Sequence, residues 1–358
     1  MFEPGPMAAQ MAEDESSLMR CGGCGSKISG DVLSAVLKRL DLPDDPRLVL
    51  GVRAGEDAAA HRVRPELYGG GEGLVEVQTV DYFKAFVDDP FLFGRIAAQH
   101  ALSDLYAMNA RPFSALAIAT LPYARGPVQE SQLYELLAGA VATFRELGVV
   151  LSGGHTTEGP ELALGFSVTG FGEEGKLFRK GGLKPGDQLI LTKPLGTGAL
   201  LAAWMRGRCR AEWFTPLVES MLKSNRAAAD VLRNAGVTAC TDVTGFGLVG
   251  HLLEMLDASR AAARLDAAKV PLLPGFAEVV SEGIVSTLQG DNAKAACRVG
   301  GKTPEWLFDP QTSGGLLAGV RPEAADEVVR RLRSAGCAEA TIIGDVQAVQ
   351  EGAAVTVS

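Results

Sequence analysis

The amino-acid sequence predicts an α/β (α+β) protein of two halves similar in size, each a mixed sheet packed with helices. Three observations carry that prediction. Short runs rich in Val, Leu, Ile and Phe alternate with longer segments whose apolar residues follow helical spacing. A stretch rich in Gly and Lys, residues 172–186, separates one such series from another. The length of 358 residues, 47% of them apolar and 22% charged, suffices for two cores.

Residues 1–19 read as a disordered tail and 20–29 as a flexible loop, Cys21-Gly22-Gly23-Cys24-Gly25-Ser26-Lys27. Order is expected from Asp31, an N-cap for a helix whose Val32, Leu33, Val36, Leu37 and Leu40 follow helical spacing. Residues 48–52 and 74–81 read as strands. Asp89-Pro90 is an N-cap followed by proline at the first helical position, opening a long helix over 91–108. A strand over 113–121, a helix over 129–147, and strands over 149–151 and 162–171 complete the first half, whose domain is expected over 30–173.

The second half, expected over 184–358, opens with a buried strand at 188–192 and helices at 198–206 and 216–235. A short strand at 237–240 precedes Asp242, and a helix follows from Gly247 to about Leu256. Asp309-Pro310-Gln311-Thr312-Ser313-Gly314-Gly315 is a loop signal before a strand at 316–320 and a helix at 323–334. No periodic repeat links the halves.

Composition narrows the function classes. With 34 basic and 43 acidic residues the formal charge is −9, which argues against a broad nucleic-acid surface and suits metal-ion sites. Six cysteines are scattered through a chain too large to need disulfide staples, so reduced thiols are expected. The first 19 residues are acidic and lack an apolar signal core, and no apolar run reaches membrane-spanning length, so the expected location is the cytoplasm.

The residues that carry chemistry begin with Cys24 and Lys27. A lysine beside a thiol favours the thiolate, and both sit in a loop whose glycines permit close approach to a ligand. Asp57, Asp81, Asp104 and Asp242 fall at ends of elements or on a helix, where α/β proteins assemble ligand sites, and aspartates brought together there would suit Mg²⁺. Taken singly, each is more often a cap or turn residue. His100 precedes Asp104 by one helical turn, so the two can face the same way. Cys21 and Cys24 have the spacing of half a zinc site, but no second pair follows. Gly245-Phe246-Gly247-Leu248-Val249-Gly250, with Asp266 downstream, matches a dinucleotide fingerprint, although Asp242 would oppose a pyrophosphate. Gly153-Gly154-His155-Thr156-Thr157 is either a phosphate-binding loop or a glycine turn between strands, and no P-loop is present.

Together these segments resemble the selenophosphate synthetases (selenide, water dikinases), members of the fold superfamily of aminoimidazole ribonucleotide synthetase. The resemblance runs through Cys24-x-x-Lys27, Glu56-Asp57-Ala58-Ala59, Thr79-x-Asp81-Tyr82-Phe83, the stretch from Asp89 to Ala98, Ser103-Asp104, Gly153-Gly154-His155, the stretch from Thr241 to Gly247, and the stretch from Asp309 to Gly315. It implies synthesis of selenophosphate from ATP, selenide and water, with AMP and phosphate released and Mg²⁺ required. Carried over by position, Cys24 handles selenium and Lys27 steadies the ATP phosphates. Asp57, Asp104 and Asp242 match metal ligands. Glu56, Asp81, Asp104 and the Gly154-His155-Thr156 loop match nucleotide contacts. The family's glycine loop serves the partner subunit, which implies a homodimer, with ATP binding and dimerisation in the first domain. The chain departs from the family pattern at Gly55 and Ser26, and its Cys21-Gly-Gly-Cys24 form is similar to that of domains joined to a flavin or nicotinamide oxidoreductase. Rival expectations are a kinase or ligase of the same superfamily that releases ADP, a dinucleotide oxidoreductase, and a non-catalytic binding domain.

Overall fold

The computed structural model describes residues 48–50, 56–62, 73–237, 239–349 and 352–358. Cys21, Cys24, Lys27, Gly55 and the helix expected after Asp31 lie outside the described residues. Strands β1 (Leu48–Leu50), β2 (Ala59–Arg62), β3 (Leu74–Lys84), β4 (Arg111–Pro122), β5 (Val150–Gly159) and β6 (Ala163–Glu173) form a six-stranded sheet in the order β1-β2-β3-β6-β4-β5. Its pairs are antiparallel except β4 with β5. Alternation along β3 turns Val75, Val77, Asp81 and Phe83 inward and leaves Val80 and Tyr82 exposed.

Two helices cover the inner face. Helix α1 (Pro90–Ala107) starts as the sequence predicts: Leu92 N donates to Asp89 Oδ1 at 3.0 Å, and Pro90 occupies a position where a missing N–H costs nothing. Helix α2 (Gly126–Leu147) crosses it closely through two glycines. A Cβ on Gly94 would lie 2.0 Å from the Leu136 carbonyl oxygen, and one on Gly139 would lie 1.9 Å from that of Phe91. Phe93, Ile96, Leu102, Leu105, Phe144 and Phe166 fill the core beneath.

The second sheet joins β7 (Gln188–Leu191), β8 (Cys240–Asp242), β9 (Ala262–Leu265), β10 (Val299–Gly301), β11 (Leu316–Val320), β12 (Thr341–Gln347) and β13 (Val355–Val357), in the order β10-β13-β9-β12-β7-β11-β8. Helices α3 (Thr197–Met205), α4 (Ala211–Leu222), α5 (Arg226–Asn234), α6 (Gly247–Ser259), α7 (Phe276–Ser281), α8 (Gln289–Asn292) and α9 (Pro322–Ser334) accompany it. Helix α1 packs on β3 and β6 and also meets β8, α4 and α5, so it joins the two sheets.

Several elements differ from expectation. The glycine segment at 153–157 is strand, not turn: β5 continues through it to Gly159 as an exposed edge strand. The helix expected over 216–235 is two helices, broken where Asn225 turns into the interior to donate to Ser103 Oγ and to the Gly314 carbonyl, both at 2.9 Å. Asp242 ends its strand instead of following it. The stretch expected as a linker buries Leu177, Phe178, Lys180 and Leu183, because Leu177 and Phe178 join one hydrophobic core and Leu183 the other.

Candidate active site around four aspartates

The carboxylates meet where α1 joins the sheets. Thr79 and Asp81 come from the inner face of β3, Asp104 from α1, Asp57 from the turn before β2, and Asp242 from the end of β8. Thr79 donates to Asp104 Oδ2 at 2.5 Å, and Thr241 donates to Asp57 Oδ1 at 3.0 Å. Ser103, which accepts from Asn225 Nδ2 at 2.9 Å, lies beside Asp242 and acts to lower its pKa. Burial, then the charges of Asp81, Asp242 and Asp57, push the Asp104 carboxyl well above the usual range. Burial and then Asp57 push Asp242 upward in the same way. Four acids that repel one another across one space form a site built to receive positive charge.

Cations and hydrogen bonds fix this cluster from outside. Lys180 places its ammonium 2.9 Å from Asp57 Oδ1 and 2.9 Å from Glu254 Oε2, while its backbone N–H donates to Glu56 Oε2 at 2.9 Å. Burial opposes the charged amine, but Asp57 and Glu254 outweigh it and hold its pKa above the ordinary value. Burial likewise pushes Glu254 up, yet His251 and Lys180 prevail and hold it at about 2. Glu56 is raised chiefly by burial.

The 309–315 motif is an internal strut. Gln311 Oε1 accepts from the backbone N–H groups of Gly196 and Thr197 at 2.9 and 3.1 Å. Ser313, in a left-handed conformation, donates its N–H to His100 Nδ1 at 2.9 Å. The ring proton of His100 therefore sits on Nε2, 3.7 Å from Asp81 Oδ2. His100 thus serves Asp81, whereas the sequence pattern had set it beside Asp104.

Among the described residues, no three His, Cys, Asp or Glu side chains stand as a metal-holding group. Gly154, His155 and Thr156 are not brought to the aspartates. They lie on β5, three strand positions from β3, or roughly 14 Å at the usual spacing. The dinucleotide motif is used for packing, since Gly247 lies against the Phe308 and Asp309 backbone and Asp266 caps a short 3₁₀ turn. Sequence reasoning missed Lys180, Glu254, His251 and Asn225. The His251-x-x-Glu254 spacing within one helix was the available signal for that pair.

Comparison with known proteins places this chain in a family. Two family models match: AIR synthase related protein, N-terminal domain, over residues 55–173, and its C-terminal domain over 184–357. A selenide, water dikinase of Myxococcus xanthus is 40% identical over 348 residues, spanning 94% of this chain and 95% of the relative. That of Pelobacter propionicus is 39% identical over 331 residues, spanning 90% and 92%. The chain belongs to the selenide, water dikinase family. The fold is shared more widely. A thiamine-monophosphate kinase from Stenotrophomonas maltophilia has TM-score 0.64 at 22% identity over 92% of this chain and 95% of its own. A hydrogenase maturation protein, HypE, in complex with ATP has TM-score 0.64 at 18% identity over 92% and 91%. The four aspartates fall in the stretches Glu56-Asp57, Thr79-x-Asp81, Ser103-Asp104 and Thr241-Asp242, on which the sequence resemblance rests.

Proposed function

We propose that the protein is a phosphotransferase that makes selenophosphate from ATP, selenide and water, releasing AMP and orthophosphate. The observation that carries this reading is the convergence of Asp57, Asp81, Asp104 and Asp242 from both halves of the chain onto one buried space. Release of AMP with two separate phosphorus products means that both anhydride bonds of ATP break. One phosphoryl group goes to selenium and the other to water. Such chemistry demands placement of the phosphates and neutralisation of their charge.

The donor set fits Mg²⁺. Asp57, Asp104 and Asp242 offer hard oxygen ligands, their repulsion favours a cation, and Asp242 Oδ2 is buried with no hydrogen-bond partner among the described residues. When bound, Mg²⁺ neutralises phosphate charge and orients the oxygens. Asp57, Asp104 and Asp242 would hold the ion, and Glu56, Asp81 and Asp104 would contact the nucleotide. The sequence resemblance assigns selenium to Cys24 and the ATP phosphates to Lys27.

The protein acts as a homodimer in the cytoplasm, and its 30–173 domain both binds ATP and dimerises. What supports dimerisation is the outer face of the first sheet, where Val80, Tyr82, Phe113, Leu116 and Val150 are exposed on neighbouring strands. Pairing through that face would bring the edge strand bearing Gly154, His155 and Thr156 to the partner's nucleotide. Among the described residues no helix is long and apolar enough to cross a membrane. Incubation with ATP, Mg²⁺ and selenide tests the reading through the product nucleotide: AMP supports it, and ADP as the end product indicates a superfamily kinase or ligase instead.

A further inference from the structure

The stretch between the two matched domains carries a buried lysine paired with one of the aspartates, and its backbone is tied on both sides. Lys180 N donates to Glu56, Cys240 N donates to the Arg179 carbonyl at 2.9 Å, and Arg179 bridges to Ala239. The Lys180 side chain is 7% exposed and reaches between two carboxylates at equal distance. The two are held differently. Asp57, with a side chain only 6% exposed, belongs to the aspartate cluster, and its Oδ1 already accepts from Thr241. Glu254, one-third exposed on α6, is anchored by His251 Nδ1 at 3.1 Å, and His251 Nε2 meets Thr244 Oγ1 at 3.3 Å.

We propose that Lys180 is an exchangeable internal counter-ion, which neutralises Asp57 until a divalent cation takes that carboxylate and leaves the ammonium on Glu254. This rests on the reading of Asp57 as a metal ligand. An ammonium 2.9 Å from Asp57 and a divalent cation on the same carboxylate repel each other, and that repulsion is strong in a site shielded from water. Removing the ammonium outright would leave Asp57 buried and uncompensated, which is costly. Glu254 lowers the cost of exchange by offering the ammonium a second anion without moving the backbone. The consequence is a site of low affinity for free metal that loads when nucleotide phosphates bring further negative charge.

The test is binding of Mn²⁺, read from the electron paramagnetic resonance signal of the free ion, on the full chain without nucleotide. Lys180→Met is expected to tighten binding by about tenfold or more, because one repelling charge a few Å away is gone. Glu254→Gln is expected to weaken it, because the ammonium then has only Asp57. Lys180→Arg should stay close to wild type, and the Lys180→Met/Glu254→Gln double variant should follow Lys180→Met. These opposed signs distinguish exchange from a purely structural tie, which predicts loss of stability in Lys180→Met and no change of metal affinity in Glu254→Gln. Unchanged affinity in Glu254→Gln overturns the proposal even if Lys180→Met does not fold. Asp57→Asn separates the two levels. If it binds Mn²⁺ as well as wild type, the metal reading of Asp57 fails; if it loses binding while Lys180→Met shows no gain, only the counter-ion role fails.

Discussion

Lys193 donates from its buried amine to the carbonyl oxygens of Lys223 and Ser313, at 2.6 and 2.9 Å. A neutral amine has two N–H groups, which these two acceptors satisfy. Burial, the largest influence, pulls the pKa of Lys193 down to about 7. Because the folded value lies below the unfolded one near 10.4, the unfolded chain binds more protons between them, and folding gains stability as pH rises through that window. Melting curves from pH 7 to 10 should show wild type gaining on Lys193→Met by about 1.4 kcal/mol per pH unit. A constant difference would mean that the amine stays charged. At the same scale, Cys24→Ser should lose selenophosphate formation and keep ATP binding, whereas Lys27→Ala should weaken use of the phosphates; isothermal titration with ATP alongside product analysis separates them. Equal activity in Cys24→Ser would remove the thiol from the mechanism. The aspartates were legible in the sequence because each sits in a motif with fixed neighbours. Lys180 was not, because Gly-Lys composition reads as a linker and only tertiary contact shows which lysine turns inward.

Helix α1 is the element that organises the site, since His100, Ser103 and Asp104 all stand on it and it touches both sheets. Its start was readable from Asp89-Pro90, whose capping chemistry is local. Its close crossing with α2 was not, because the need for glycine at 94 and 139 comes from carbonyls of another helix. Gly94→Ala should therefore lower stability by about 1–3 kcal/mol, as overpacking does, and weaken ATP binding by displacing Asp104. Thermal unfolding and nucleotide titration of one preparation check both, and an unshifted Tm would show that the helices can part at no cost. The edge strand β5 and the break between α4 and α5 escaped sequence reading for related reasons. Glycines at 153 and 154 look like a turn until β4 pairs with them, and Asn225 looks like a helix interior until Ser103 and Gly314 claim its amide.

At the scale of the whole molecule, the two-sheet architecture was legible from alternating element patterns and the ordered motifs, whereas the uncovered sheet face was not, since exposure depends on which strands neighbour one another. Val80, Ser167 and Leu116 stand opposite one another across β3, β6 and β4, so a charge at Val80 falls in the middle of that face. If the proposed dimer pairs through this face, Val80→Lys should yield a folded monomer in light-scattering chromatography and reduce activity. A dimer that persists would place the interface elsewhere. In the proposed reaction, both anhydride bonds of ATP are spent on selenium and water in the space between the aspartates. Phosphorus NMR of the protein with ATP, Mg²⁺ and selenide under anaerobic reducing conditions tests it most directly. Selenophosphate, orthophosphate and AMP should appear in equal amounts, only with selenide, and not with Asp104→Asn. Nucleotide turnover that ends at ADP, or that proceeds equally without selenide, would rule this reaction out.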